Sequence, residues 1–345
     1  MRVMIDIVHP ADALFYRNLA QEFHDNGHET LIVARDKDVT FELLDGAGLE
    51  YHRVGRGGKK GRLSLALELV GRVVRLVRLG RAFRPDIIIG RNPAGMIASR
   101  LLRKPGIFDT DDGSMVGIYW WAAVPFATII TTPESLTDDY RGKRRAYPGH
   151  KALAHLHPDR FTPDATVRDD LGLKDAERFF IVRFVAMTAH HDRKEAGLST
   201  DLQTRLVTSL ASLGKVFISS EAPLPPALAP HRFPLAPHRM HDALAFSSLL
   251  ATDSQSMTSE AAILGVPTAR MSSFVGRLPG LAVIANQYGL AFEYLPHQTE
   301  EFLSKAIEIA GSDDSQQWQQ RRAQLLADKV DLTTWYYDLV ISVVG

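Results

Sequence analysis

The 345-residue chain contains no cysteine, which removes disulfide scaffolds, thiolate metal sites and cysteine nucleophiles together and suits a reducing compartment. An excess of one charge is also missing: 40 Lys and Arg stand against 40 Asp and Glu, so no global field recruits a nucleic acid or another polyanion. No uninterrupted apolar run approaches the roughly 18 residues that a membrane span needs. The start does not read as a secretion signal either, because Asp6 breaks the first apolar run before an h-region can form. Low-complexity tracts are absent, and 45% hydrophobic with 23% charged residues excludes a disordered chain. The expectation is a globular cytoplasmic protein that binds no nucleic acid and meets a membrane, if at all, peripherally at its inner face.

What is present is an alternation of short apolar runs and amphipathic segments. Val3 to Val8 reads as a buried strand, and Ala11 to Phe23 as a helix with Phe15, Leu19 and Phe23 four apart on one face. Strands follow at 29–34, 51–54, 86–90, 106–108 and 127–132, with helices at 39–44, 63–83, 93–102 and 114–121. Strand then helix, repeated, predicts a parallel sheet. Residues 148–175 break the rhythm with prolines, and the alternation restarts at Phe179, with helices at 199–213, 240–246 and 256–264 and a short strand at 232–235. The chain therefore divides into an N-terminal Rossmann-like half over 1–155, a C-terminal Rossmann-like half over 156–312, and terminal helices over 313–345 that pack back on the first half. Two such α/β halves make a central cleft the natural site.

The most informative stretch is Ala251-Thr-Asp-Ser-Gln-Ser-Met-Thr-Ser-Glu-Ala-Ala-Ile-Leu-Gly-Val-Pro267. A buried strand ends in small hydroxyl residues that open a helix, so backbone N–H groups around Met257 and the hydroxyls of Ser254, Ser256 and Thr258 can meet an anion at the positive helix end. Glu260, one turn in from Ser256, is placed to accept both hydroxyls of a ribose. The competing reading is purely structural: Ser256 caps the helix and Glu260 completes the cap.

This segment resembles the nucleotide-binding block of GT-B fold enzymes, both the membrane-associated N-acetylglucosaminyltransferases of peptidoglycan synthesis and the non-hydrolysing UDP-N-acetylglucosamine 2-epimerases. The likeness extends upstream through Pro237-His-Arg-Met-His-Asp-Ala-Leu244 and downstream through Gly265-Val-Pro267. Over most of its length the chain also resembles an uncharacterised family, domain of unknown function 354, whose Ala-His-rich loop is matched by Ala189-His-His-Asp192. The resemblance implies an α/β, GT-B-like fold and a nucleotide diphosphate-sugar, UDP-linked by resemblance alone, as substrate. It implies no required cofactor and no metal, since such enzymes manage a diphosphate with helix ends and basic side chains.

Within that frame the other candidates fall at strand ends. Val8-His-Pro-Ala-Asp12 puts His9 where transferases of this fold hold a base or bind the acceptor, and an imidazole with an ordinary pKa near 6.5 suits abstraction of a hydroxyl proton; the bland alternative is a helix cap. Phe108-Asp-Thr-Asp-Asp-Gly-Ser114 gathers Asp109, Asp111 and Asp112, whose crowding raises at least one pKa, although Asp112 also suits a cap. The His-Val-Glu-Ala-Gly-Leu-Arg type sequence of the epimerases is absent here. Arg183 can neutralise a diphosphate and His190 or His191 can donate to its oxygens, while the resemblance puts Arg239 and His241 in the segment that borders the base in related transferases.

The helix over 62–84 carries Arg72, Arg75, Arg78 and Arg81 among Leu and Val, a basic strip beside an apolar surface that suits an anionic bilayer and a lipid-linked acceptor, or simply a core helix with a solvated face. The function expected is glycosyl transfer from a nucleotide diphosphate-sugar to a glycan or lipid-linked acceptor in cell-surface polysaccharide synthesis. The alternatives are a non-hydrolysing UDP-N-acetylhexosamine 2-epimerase and a non-catalytic sugar-nucleotide binding or scaffold protein.

Overall fold

In the computed structural model, residues 1–56, 62–111, 117–185 and 198–345 are described. The chain forms two compact units, Met1–Arg160 together with Lys329–Gly345, and Phe161–Asp328.

The first unit is built on seven strands, β1 (Arg2–Ile7), β2 (Glu29–Asp36), β3 (Tyr51–Arg56), β4 (Ile87–Gly90), β5 (Gly106–Asp109), β6 (Ile129–Pro133) and β7 (Arg144–Tyr147). They pair in parallel in the order β3-β2-β1-β4-β5-β6-β7. Connecting them are α1 (Pro10–Asp25), α2 (Thr40–Gly46), α3 (Arg62–Phe83), α4 (Pro93–Leu101) and α5 (Gly117–Ala122), with α6 (Leu153–Leu156) after β7. The central strands are apolar on both faces because helices cover both: Val3, Met4, Ile5 and Ile7 of β1 and Ile87, Ile88 and Ile89 of β4 are all fully buried. As the four-residue spacing predicts, Phe15, Leu19 and Phe23 of α1 point into this core.

The second unit holds β8 (Phe179–Phe184), β9 (Lys215–Ser220), β10 (Leu250–Thr252), β11 (Thr268–Met271) and β12 (Ala291–Tyr294), all parallel, in the order β12-β11-β10-β8-β9. Its helices are α7 (Val167–Asp170), α8 (Thr200–Ala211), α9 (Met240–Phe246), α10 (Gln255–Leu264), α11 (Pro279–Asn286), α12 (Thr299–Gly311) and α13 (Ser315–Asp328). Phe180, Val182 and Phe184 pack with Ala269, Met271, Leu206 and Phe302 in one core cluster under α8 and α12. The alternate strand residues therefore face the opposite side, toward α10.

Several expectations change. Of the terminal residues, α13 belongs to the second unit, where the Arg322 Nε donates to the Ile263 carbonyl at 2.7 Å at the end of α10. Gly265 allows this approach, since it ends α10 at φ 77° and a Cβ there would meet Gln319 and Arg322. Only α14 (Leu332–Val344) returns to the first unit, where Thr333 donates to the Ala154 carbonyl and Tyr336 packs edge-on against Phe15. β7 lies at 144–147, just before the stretch read as a linker, because its exposed Arg145 and Ala146 mark an edge strand with little apolar signal. Residues 232–235 make a single bridge, Ile218 to Arg232, rather than a strand.

The largest correction concerns α3. Arg72 is buried, 7% exposed, and its guanidinium bonds to the fully buried Asp6 of β1 and to the Val54 and Ile7 carbonyls. It belongs to the core and not to a surface strip.

Candidate functional site

In a parallel sheet the connections leave opposite faces on either side of the point where strand order reverses, and the carboxyl ends of the strands there form a crevice. In the first unit that point lies between β1 and β4, and in the second between β8 and β10. The candidate residues of each unit gather at these edges.

In the second unit, β10 ends at Thr252 and α10 opens two residues later. Ser254 is the N-cap: its backbone is extended and its Oγ accepts the Met257 N–H at 3.3 Å. Thr252 Oγ1 accepts the Ser254 N–H at 2.8 Å and donates to the Arg183 carbonyl at 3.1 Å, tying the turn to β8. Thr258, fully buried, turns its hydroxyl back to the Ser254 carbonyl at 2.7 Å. Thr258 is thus committed to the helix, Ser254 serves as cap, and half-buried Ser256 stands in the first turn, where the unpartnered N–H groups of a helix end concentrate positive potential. Glu260 completes no cap. Its Oε2 lies 3.3 Å from the His241 Nε2 and both side chains are buried, so two residues read from separate segments are brought together.

Arg183 occupies a polar row that crosses the whole sheet. Ser219 of β9, Arg183 of β8, Thr252 of β10, Arg270 of β11 and Glu293 of β12 are paired in register and so share one face, the α10 side. Arg183 donates to Ser219 Oγ at 2.7 Å and pairs with Glu221, and its buried Nε has no partner among the described residues. Arg270 is fully buried and pairs with Glu293, with Nε and Nη2 unpartnered among the described residues and burial depressing its pKa. Neither Arg270 nor Glu293 was legible beforehand, because a charged residue inside an apolar strand is seen as a row member only once register is known. Asp253, equally unforeseen, accepts the Val185 N–H at 2.9 Å, and burial raises its pKa to about 6.

Arg239 has a different task from the one expected. Its guanidinium is held by Asp164 at 2.8 Å and by Asp170 and Asp242 at 3.0 Å each, which staples the 164–170 segment to α9 and leaves a substrate little to claim. His190 and His191 lie outside the described residues, as does Asp112.

In the first unit, the hub is Arg91, a residue the sequence reading passed over. Gly90 ends β4 and Asn92 caps α4 by accepting the Ala94 N–H, with Pro93 opening the helix. This fixes Arg91 at the crevice. Its guanidinium, about 10% exposed, meets Asp109 Oδ2 at 2.5 Å, Asp12 Oδ1 at 3.3 Å and Asp111; Lys151 joins Asp111 at 2.7 Å. Asp109 also accepts from Thr131 and Tyr336, each at 3.0 Å. Burial pushes the Asp109 pKa up to about 6 against the pull of Arg91. Burial pushes Asp111 the same way, but Lys151 and Arg91 outweigh it and hold that carboxyl below the usual range. Asp109 is fully buried while Asp111 is partly open, so of the pair only Asp111 has a surface a substrate can reach.

His9 is the N-cap of α1. Its Nδ1 accepts the Ala11 N–H at 3.2 Å, and Asp12 Oδ2 accepts the His9 N–H at 3.0 Å in return, a reciprocal capping box. The imidazole is nonetheless exposed. Surrounding protein disfavours its charged form, to an extent tempered by that exposure, and Lys37, Lys151 and Arg91 add to the effect, so its pKa falls below the ordinary 6.5. A neutral ring accepting at Nδ1 carries its proton on Nε2.

Known proteins share this architecture. The Glycosyl transferase 4-like domain matches residues 14–156. No curated protein sequence matches the chain. Among solved structures, the UDP-GlcNAc 2-epimerase from Neisseria meningitidis bound to UDP-GlcNAc is similar with a TM-score of 0.69 at 10% identity, covering 99% of this chain and 100% of that one. The UDP-GlcNAc 2-epimerase from Methanocaldococcus jannaschii gives 0.68 at 11% identity over 91% and 94%, and the glycosyltransferase VinC in complex with DTDP gives 0.63 at 14% identity over 100% and 99%. The fold is GT-B. Epimerases and transferases both adopt it.

Proposed function

We propose that the chain is a glycosyltransferase that takes a sugar from a nucleotide diphosphate-sugar, UDP-linked, and passes it to a glycan or lipid-linked acceptor in surface polysaccharide synthesis. The observation that carries the reading is the α10 entry: a capped helix N-terminus beside the partly open guanidinium of Arg183, whose Nε has no partner among the described residues, with the Glu260–His241 pair one turn in. A diphosphate is the ligand whose charge and oxygens answer that set. Glu260 accepts the ribose hydroxyls, His241 fixes its orientation, and Arg183 with the helix end takes up negative charge on the leaving diphosphate as the glycosidic bond breaks. No metal is needed for that task.

On the acceptor side, Asp111 is the open carboxylate and His9 the open imidazole. His9, a weaker base than an ordinary imidazole because its surroundings lower its pKa, takes the acceptor proton on Nε2 once its ring exchanges tautomers; the exchange costs about the worth of the cap bond, ~1 kcal/mol. Epimerisation would need acid and base groups on both faces of one sugar carbon, and Asp109, the carboxyl best tuned for neutral pH, is shut behind Arg91.

Product analysis tests the reading. With UDP-N-acetylglucosamine and a membrane glycan extract, NMR and label transfer should register UDP release matched by sugar incorporated into the acceptor. Conversion of the free nucleotide-sugar to its C2 epimer without UDP release would overturn it in favour of the epimerase.

A further inference from the structure

Among the described residues, nine large hydrophobic side chains are exposed, and seven of them lie on consecutive helices of the first unit: Leu65, Leu67, Val70 and Val74 on α3, Leu101 on α4, and Ile118 and Trp121 on α5. Scattered exposed leucines need no explanation, but such concentration does. These helices form one layer, since α3 and α5 both pack on α4. On α3, steps of three and four keep Leu67, Val70, Val74, Arg78 and Arg81 on one stripe, which runs apolar in its first half and basic in its second. The exposed Arg75 flanks it, and exposed Arg100 and Arg103 flank Leu101. The three helices contain a single acid, Glu68, which is bound to Arg35.

We infer that this layer docks the protein on an anionic lipid surface. Leu67, Val70, Val74 and Trp121 enter the boundary between headgroups and acyl chains, the indole at the depth it favours, while Arg75, Arg78 and Arg81 meet lipid phosphates. A second copy of the chain fits less well. A two-fold pairing would set arginines against arginines or against the apolar half, with no free acid on either partner to answer them. The face thus differs from the strip foreseen in the sequence: Arg72 has left it and α5 has joined it.

The test is co-sedimentation of the full chain with vesicles of phosphatidylcholine, with and without phosphatidylglycerol, alongside the triple variant R75Q/R78Q/R81Q, the pair V70S/V74S and the single change W121S. Wild type should bind the anionic vesicles, more weakly as salt is raised, and hardly bind neutral ones. Roughly fivefold should be lost per arginine removed, about a hundredfold for the triple variant; V70S/V74S and W121S should each weaken binding with melting temperatures unchanged. Equal binding to neutral and anionic vesicles, or undiminished binding by the triple variant, overturns the inference. So does light scattering that finds a dimer broken by V70S/V74S without vesicle binding, which would assign the face to a second copy. A Glu260→Ala variant should bind vesicles like wild type, so failure of the donor-site reading would leave this one standing.

Discussion

His9 caps α1 and, in the proposed transfer, also serves as base, and substitution separates the two roles. As a cap it satisfies a backbone N–H of α1, and as the open imidazole of the crevice it is the base of the proposed transfer. His9→Ala removes both and should destabilise the protein by about 1 kcal/mol, as cap losses do. His9→Asn keeps a good cap, so its melting temperature should match wild type while turnover falls on the order of a hundredfold or more, the usual worth of a general base. A stable His9→Asn enzyme with full turnover would reduce His9 to its cap. Asp109 makes a second prediction. Its folded pKa, raised to about 6, lies above the ordinary carboxylate value, so the unfolded chain gives up this proton first as pH rises. The stability associated with it is full below about pH 4 and is lost as pH climbs through 6. Asp109→Asn cannot titrate, so melting temperatures of wild type minus variant should decline between pH 4 and 6.5; a flat difference would contradict the assignment.

At the scale of elements, α3 separates two arginines that look alike in sequence. Arg72 answers a buried carboxylate, and removing one partner of such a pair costs about 3–5 kcal/mol, so Arg72→Ala should lower denaturant midpoints severely. Arg75, exposed one turn on, should change stability by no more than about 0.5 kcal/mol when replaced by Ala. Comparable losses at both positions would mean that the inward turn of Arg72 is wrong. The contrast also marks what the sequence could convey. The strand–helix alternation, the α1 face of Phe15, Leu19 and Phe23, and the turn into α10 were legible because they depend on neighbours three or four residues away. Arg91, Lys151, Tyr336 and Arg270 were not. Each acquires its meaning from partners on other strands or helices, Tyr336 from an aspartate 227 residues away, and no local spacing encodes that. The cap of α10 was not legible either: Ser254 and Ser256 both satisfy the local rule, and the end of β10 decides for Ser254.

For the whole molecule, two parallel sheets each reverse their strand order once, and each gathers its polar residues at that reversal. In the first unit Arg91 and Lys151 face three carboxylates, Asp12, Asp109 and Asp111, and the second unit builds a helix entry beside Arg183, whose Nε has no partner among the described residues. In the proposed function this second arrangement holds a nucleotide diphosphate. Calorimetric titration of the purified chain with UDP, beside a Glu260→Ala variant, tests it directly. Tight binding by wild type, a raised melting temperature as for any ligand selective for the native state, and a loss of tenfold or more in affinity in the variant are the predicted result. A chain that binds no UDP, or binds it equally well without Glu260, would contradict the account.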